Sequence, residues 1–166
     1  MVRENKGPLT IILALILLSV SGSIRAAEYD EARYCLAQNI YFEAANQSFA
    51  GKLAVAHVVM NRVDDLQFPN TVCEVVYQSK KRENWLGNMV PIRNQCQFSW
   101  YCDGLSDEPV DSKTWINAIR ISNMVLEEIH PDITEGSLYY HADFVNPYWS
   151  DELLHVATID NHLFYK

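Results

Sequence analysis

The sequence predicts an α+β domain, mostly helical, with a small antiparallel sheet. Three observations carry that expectation. Apolar residues at helical spacing fill the first half, as in "YCLAQNIYFEAANQSFAGKLAVAHVVMNRV". Short alternating segments such as "SLYYHA" and "HVATIDNHLFYK" fall in the second half. No repeat, low-complexity tract or linker divides the two, so one layer of helices must share a core with one small sheet.

The chain of 166 residues opens with a segment that reads as an export signal. Arg3 and Lys6 form a basic start, Leu9 to Val20 is an uninterrupted apolar run, and the small residues of "SGSIRAA" follow. That order is expected of a signal peptide, and its apolar core is short for a membrane span. Cleavage after Ser23 or Ala26 fits the small-residue rule, giving a signal over residues 1–26 and a domain over 27–166. Retention as an uncleaved anchor is the alternative. Both readings place the domain outside the cytoplasm, periplasmic or extracellular. About 140 residues then remain, enough for one domain with its own core.

The first helix is expected from near Asp30 to near Ala45, before the polar break "NQS". A second runs from about Phe49 to Val63, and "LAVAHVVMNRV" implies burial on most of its sides. Thr71 and Glu74 have capping-box spacing and announce a short third helix in "FPNTVCEVVYQ". The polar, turn-rich stretch "SKKRENWLGNMVPIRN" predicts an exposed loop. "CQFSWYCDG" alternates and then turns at Asp103-Gly104, the pattern of a strand. A fourth helix follows Asp111 or Ser112, with Trp115, Ile119, Ser122, Leu126 and Ile129 on one face and Pro131 as its stop. "SLYYHA" is a strand, and "HVATIDNHLFYK" is a hairpin turning at Asp160-Asn161.

The formal charge is −8, and it becomes −10 once Arg3, Lys6, Arg25 and Glu4 leave with the signal. An acidic domain without a basic run is a poor nucleic-acid binder, and a neutral or small substrate suits it better than a polyanion. The four cysteines, Cys35, Cys73, Cys96 and Cys102, suggest two disulfides in an exported chain. Three connectivities are possible. The preferred one pairs Cys73 with Cys96 and Cys35 with Cys102, with the other two left open. Zinc is the rival reading, although no CxxC pair or HExxH motif occurs.

Glu43, in "YFEA", is the first candidate for chemistry. Helical spacing sets it within about 20° of Leu36 and Ala32 on the first helix, on the apolar side. Burial raises a carboxyl pKa and keeps the group protonated near neutral pH, ready to donate. The plainer alternative is a helix-end glutamate bonded to nearby backbone or paired with Arg62. Trp100, Tyr101, Tyr139, Tyr140, Tyr148 and Trp149 add flat apolar faces, beside the polar groups of Gln97, Ser99, Asn146 and Asn161. That combination suits sugar rings, while core filling is the ordinary fate of aromatics. His57 reads as a core histidine. His141, His155 and His162 fall near the strands, and nothing in their spacing recommends a metal site.

Five motifs, "IYFEAANQSFAGKLAVAHVVMNRV", "FPNTVCEVVYQ", "CQFSWYCDG", "LYYHADFVNPYW" and "IDNHLFY", occur in this order and at characteristic spacing. Together they resemble the SleB-type cell-wall hydrolases, the spore cortex-lytic enzyme family, especially its cysteine-bearing Gram-negative and phage-associated members. The resemblance covers nearly everything after residue 26. It implies a lysozyme-like, lytic-transglycosylase-type fold acting as a monomer on the glycan strands of peptidoglycan, with no cofactor or metal. Membrane contact is implied only through the N-terminal signal if that is uncleaved. The resemblance makes Glu43 the catalytic acid. It gives Asn61, Gln97, Phe98, Ser99, Asp103, Tyr140, His141, Trp149, Asn161, His162 and Tyr165 to lining or support of the cleft, and Trp100 joins them as a candidate from its own motif. Two departures stand out: Ala45-Asn46-Gln47-Ser48 replaces a basic residue followed by "GE", and Asp160 stands where the family commonly has Gly.

Most glycosidases use two carboxylates, and only one convincing candidate is found here. This fits the transglycosylase mode that the resemblance implies, in which the muramic C6 hydroxyl supplies the nucleophile. The alternatives are an N-acetylmuramoyl-L-alanine amidase cutting the peptide stem and a non-catalytic wall-binding module.

Overall fold

The computed structural model describes residues 8–166, with side chains from residue 25 onward. Of the expected export signal over residues 1–26, residues 1–7 and the side chains up to residue 24 lie outside what is described. Among those described, no helix is long and apolar enough to cross a membrane. The chain divides into two units, residues 1–31 and residues 32–166.

Helix α1 spans Pro8–Ala44, so it starts well before the expected Asp30. The reason is the lack of any breaker between the apolar run and Asp30: leucine, alanine, arginine and glutamate are strong helix formers, and a single glycine is tolerated. Helix α2 spans Phe49–Asp64. Ser48 caps it, its side-chain oxygen accepting the Gly51 N–H at 3.2 Å. Gly51 through Val59 are all buried, as the continuous apolar run implies. Helix α3, Val72–Val76, is capped by Thr71, which accepts the Glu74 N–H at 3.3 Å. Here Glu74 closes the box differently, its carboxylate accepting the Thr71 hydroxyl at 2.8 Å. Helix α4 runs Ser112–Leu126 from an Asp111 cap. Its most buried residues are Ala118, Ile121, Ser122 and Val125. The helix ends before Pro131 is reached, because Glu128 turns the chain at φ 53° and leaves Ile129 exposed.

The segment expected to be a loop is instead an antiparallel hairpin, β1 (Ser79–Glu83) paired with β2 (Met89–Cys96). Its strands carry no alternation of buried and exposed positions in β1, so the usual period-two signal is missing. Pro91 is tolerated because both strands of a two-stranded ribbon are edges. "CQFSWYCDG" is corrected as well: Cys96 ends β2, and Ser99–Cys102 forms a 3₁₀ turn. The Cys96–Cys102 disulfide, with Cα atoms 6.1 Å apart, requires that turn. Six extended residues would separate the two by roughly 20 Å. The other bridge joins Cys35 of α1 to Cys73 of α3. The preferred pairing was therefore wrong at both bonds, because α3 packs beside α1 and a local turn brings Cys102 back to Cys96.

Strands β3 (Tyr139–Ala142), β4 (His155–Ile159) and β5 (His162–Tyr165) form a second sheet in the order β3-β5-β4. The β4–β5 hairpin turns at Asp160-Asn161 as expected, with Asp160 at φ 51°. The main core joins Leu36 and Ile40 of α1, Val59 of α2, Val75 and Val76 of α3 and Ile121 of α4. Ala54 and Val58 of α2 meet Phe164 of β5 in a smaller cluster, which fixes the sheet against α2. Burying a side chain such as Leu36 or Ile40 contributes about 1.5–3 kcal/mol.

Candidate active site

Helix α1 delivers Glu43 one residue before its end, where the helix leaves the core. The side chain is half-buried, beneath Tyr140 of β3, whose hydroxyl donates to Glu43 Oε2 at 3.1 Å. Burial pushes the Glu43 carboxyl above its ordinary range. The Tyr140 hydrogen bond and the positive charge of Arg62 pull it back without cancelling the rise. The Tyr140 phenol is itself pushed well up by burial and by the neighbouring carboxylate, so it stays a donor.

Arg62 comes from the last turn of α2 and is buried. Its Nε–H donates to the Leu138 carbonyl at 2.7 Å, and its guanidinium lies over the rings of Phe68, Phe98 and Tyr139 at 5.2, 5.3 and 5.9 Å. Nη1 is buried without a hydrogen-bond partner. A cation fixed this way acts on Glu43 through a medium of low dielectric, where its influence is stronger than in water.

Arg62 and Tyr140 form the floor of a cleft of about 400 Å³, whose walls are Gln97, Tyr139, Tyr148, Trp149, Glu152 and Leu153. Trp149 packs against Tyr139, His141 and Tyr165 at 5.8, 5.6 and 5.6 Å. His141 is oriented behind it. Its Nδ1 faces the Ala142 carbonyl at 2.9 Å and must donate, so Nε2 accepts from the Tyr165 hydroxyl at 2.9 Å in the neutral ring. Two other concavities exist, one of about 540 Å³ beside Cys73 and Tyr101 and one of about 420 Å³ beside Gln95. Neither is lined by a buried acid, so volume alone does not locate the chemistry.

The sequence-predicted residues separate into three groups. Gln97, Tyr140 and Trp149 line the cleft, Glu43 joins it through the Tyr140 hydroxyl, and His141 and Tyr165 support Trp149. Phe98 and Trp100 lie in the core: Phe98 lies under Arg62, while Trp100 stacks on Phe42 at 4.7 Å and donates its indole N–H to Asn39 at 3.2 Å. His162 is buried too, edge-on to Tyr140 at 5.2 Å, and its Nδ1 has no partner. The remainder hold loops. Asn61 donates to Asp132, Thr134 and the Ser137 carbonyl, fixing the segment that leads into β3. Asp103 accepts the Leu105 N–H at 2.7 Å in a tight turn, Ser99 starts the 3₁₀ turn, and Asn161 sits in the β4–β5 turn, its carbonyl accepting the Asp143 N–H. Glu152 was missed. Its only sequence signal is its place three residues after Trp149, and it caps the C-terminal end of the 3₁₀ turn Tyr148–Asp151.

The two departures from the family pattern touch each other. Asp160 Oδ2 accepts the Ser48 N–H at 2.8 Å, so the β4–β5 turn ties down the start of α2.

A helical frame, a small sheet and one acid lifted by burial beside an aromatic cleft form a site suited to acid–base chemistry. Residues 46–165 match the Cell Wall Hydrolase family, and the chain belongs to that family. The match begins just after Glu43. In solved structures the chain is similar to the catalytic domain of Bacillus cereus SleB, at 24% identity and TM-score 0.57, covering 82% of this chain and 91% of that one. It is likewise similar to the catalytic domain of the germination-specific lytic transglycosylase SleB from Bacillus anthracis, at 24% identity and TM-score 0.59, covering 81% and 93%. None of the curated proteins matches the chain. The fold is thus that of SleB catalytic domains, and the protein is a cell-wall hydrolase acting outside the cytoplasm.

Proposed function

We propose that this enzyme is a lytic transglycosylase that cleaves peptidoglycan glycan strands between N-acetylmuramic acid and N-acetylglucosamine, with Glu43 as its acid and base. The observation that carries the reading is the Glu43 carboxyl, lifted by burial and hydrogen-bonded to Tyr140, which lines the aromatic cleft. The activity named for the Bacillus anthracis neighbour supports it. Protonated Glu43 donates to the glycosidic oxygen. Ionised, it then takes the proton from the muramic C6 hydroxyl as that oxygen attacks the anomeric carbon, closing a 1,6-anhydro ring. General acid–base assistance of this kind contributes roughly 10²–10⁴-fold. Trp149, Tyr139 and Tyr148 offer apolar faces to sugar rings, and Gln97 offers an amide to their hydroxyls. The domain works as a monomer after export by residues 1–26.

One observation favours a second reading. Glu152 stands in the cleft wall and could activate a water, giving hydrolysis with ordinary reducing ends. Mass spectrometry of digested sacculi separates the two. Anhydromuramic ends support transglycosylation, reducing sugars support hydrolysis, and free lactoyl ends without glycan fragments overturn both in favour of an amidase. Glu43→Gln should fold and lose cleavage. A variant that clears sacculi at the wild-type rate removes Glu43 from the mechanism.

A further inference from the structure

The β1–β2 hairpin takes no part in the cleft floor, yet it is the most unusual surface of an otherwise acidic chain. Its tip, residues 84–89, exposes Trp85 (90%), Leu86 (61%) and Met89 (61%) side by side. Isolated exposed apolar residues are ordinary, but three within five residues at one hairpin tip are not. Behind the tip, Lys80, Lys81, Arg82 and Arg93 are exposed on the two strands, with Glu83 the one acid between them. Successive strand residues point to opposite faces, so these cations ring the ribbon instead of facing one way. The formal charge of the whole chain is −8, so the hairpin reverses the sign locally.

The tip is also built to leave water cheaply. Asn84 Oδ1 accepts the N–H groups of Leu86 and Asn88 at 3.0 and 2.9 Å. The Asn84 N–H donates to the Asn88 carbonyl at 2.8 Å, and the Gly87 N–H donates to the Asn84 carbonyl at 3.0 Å, with Gly87 at φ 80° closing the turn. Four backbone donors are thus satisfied inside the turn, while its apolar side chains face outward. Unpaired backbone groups oppose entry into a lipid interface, and this turn pairs four of its donors internally.

We propose that the 79–96 hairpin docks the enzyme on an anionic lipid bilayer, with Trp85, Leu86 and Met89 seated at the headgroup boundary and the basic ring against lipid phosphates. Tryptophan favours that boundary, and a basic segment beside an apolar tip is the pattern of interfacial anchoring. A glycan surface fits less well. Sugar faces call for flat rings bordered by free amides, whereas Leu86 and Met89 are aliphatic and the Asn84 side-chain carbonyl is spent on the turn. Membrane contact is then not confined to the N-terminal segment, and the enzyme is held where new wall meets the membrane.

The test uses the full chain with vesicles, because the signal read is local to Trp85. The emission of Trp85 is the difference between wild type and Trp85→Phe. In vesicles of equal phosphatidylglycerol and phosphatidylcholine it should shift to shorter wavelength and be quenched by acyl-brominated lipid. Both effects should vanish in pure phosphatidylcholine and in about 0.5 M salt, where the Debye length falls below about 5 Å. The triple variant Lys80→Glu, Lys81→Glu, Arg82→Glu should lose them too, since each basic residue strengthens binding to an anionic surface about fivefold. This holds even if residues 1–26 keep the chain on the vesicle. Trp85 emission that stays water-like on anionic vesicles overturns the proposal. So does a shift produced only by purified glycan strands, or one that tracks protein concentration without lipid, which assigns the tip to a wall polymer or a second copy.

Discussion

Tyr140→Phe is the sharpest test of how Glu43 is tuned. The substitution removes one hydroxyl and keeps the ring, which packs on His162 at 5.2 Å and Phe164 at 5.6 Å. What is lost is the 3.1 Å hydrogen bond to Glu43 Oε2. A hydrogen bond to a charged group is worth about 1.5–3 kcal/mol, and it is stronger to the carboxylate than to the neutral acid. The loss therefore falls on states in which Glu43 has given up its proton. With about 1.36 kcal/mol per tenfold in rate, kcat on purified glycan strands should drop about 10- to 150-fold. KM should move by less than about threefold, because the phenol acts through Glu43 and not as the main grip on the sugar. The pH profile supplies an independent readout. The Tyr140 bond lowers the Glu43 pKa, so removing it raises the pKa further. Cleavage needs the protonated acid, and the fall in kcat/KM at high pH should begin at a higher pH in the variant. A variant with unchanged kcat and an unmoved high-pH limb refutes the tuning, provided its melting temperature stays close to wild type.

Three further expectations follow from the same coordinates. Because burial raises the folded-state pKa of Glu43 above its unfolded value, the group costs nothing at acid pH and increasingly opposes folding as pH rises from the unfolded pKa through the folded one; Glu43→Gln should melt near wild type at pH 4 and above it at pH 8, and a melting difference independent of pH would contradict this. Removing Cys35–Cys73 opens a 38-residue separation and should cost about 4 kcal/mol in urea unfolding, against about 2 kcal/mol for Cys96–Cys102 with its separation of 6; equal costs would show that loop length is not what these bonds restrain. Asp160 carries both a bond to Ser48 and a left-handed backbone, so Asp160→Ala should be less stable than Asp160→Gly by about 1 kcal/mol, with the reverse order arguing against the strain.

Glu43 was legible because helical period alone sets it above Leu36, and no tertiary knowledge is needed to see a charge on an apolar stripe. Its donor was not. Tyr140 is 97 residues away, and its ring could as well have filled the core. The aromatic pool was read correctly as a group and only partly as individuals: Trp149 reached the cleft, while Trp100 found a partner for its N–H in Asn39 and stayed inside. The β4–β5 hairpin announced itself through alternation, whereas β1–β2 did not, since β1 is exposed nearly throughout and its side chains carry no burial period. Cysteine pairing had no local signal either. Cys35 and Cys73 meet because α1 and α3 share a core, a fact set by packing and not by spacing.

Under the proposed mechanism a lone acid must both give and take a proton, two opposed demands, and the surroundings of Glu43 bear on each in turn. Burial comes first and shifts the group towards its protonated form, which the proposed initial donation requires. Burial alone would make the ionised form too costly to serve as the base that follows. Tyr140 and Arg62 correct that from two sides: the phenol supplies a hydrogen bond, and the guanidinium supplies charge without closing on the carboxylate in a way that would cancel its elevation. Arg62 can do so because three rings and the Leu138 carbonyl already hold it. The position of that cation is set by Phe68, Phe98 and Tyr139, so two rings outside the cleft lining, Phe68 and Phe98, help to decide how readily Glu43 changes protonation state. Phe98, which the resemblance gave to lining or support of the cleft, lies beneath Arg62 as the surface on which the balancing charge rests.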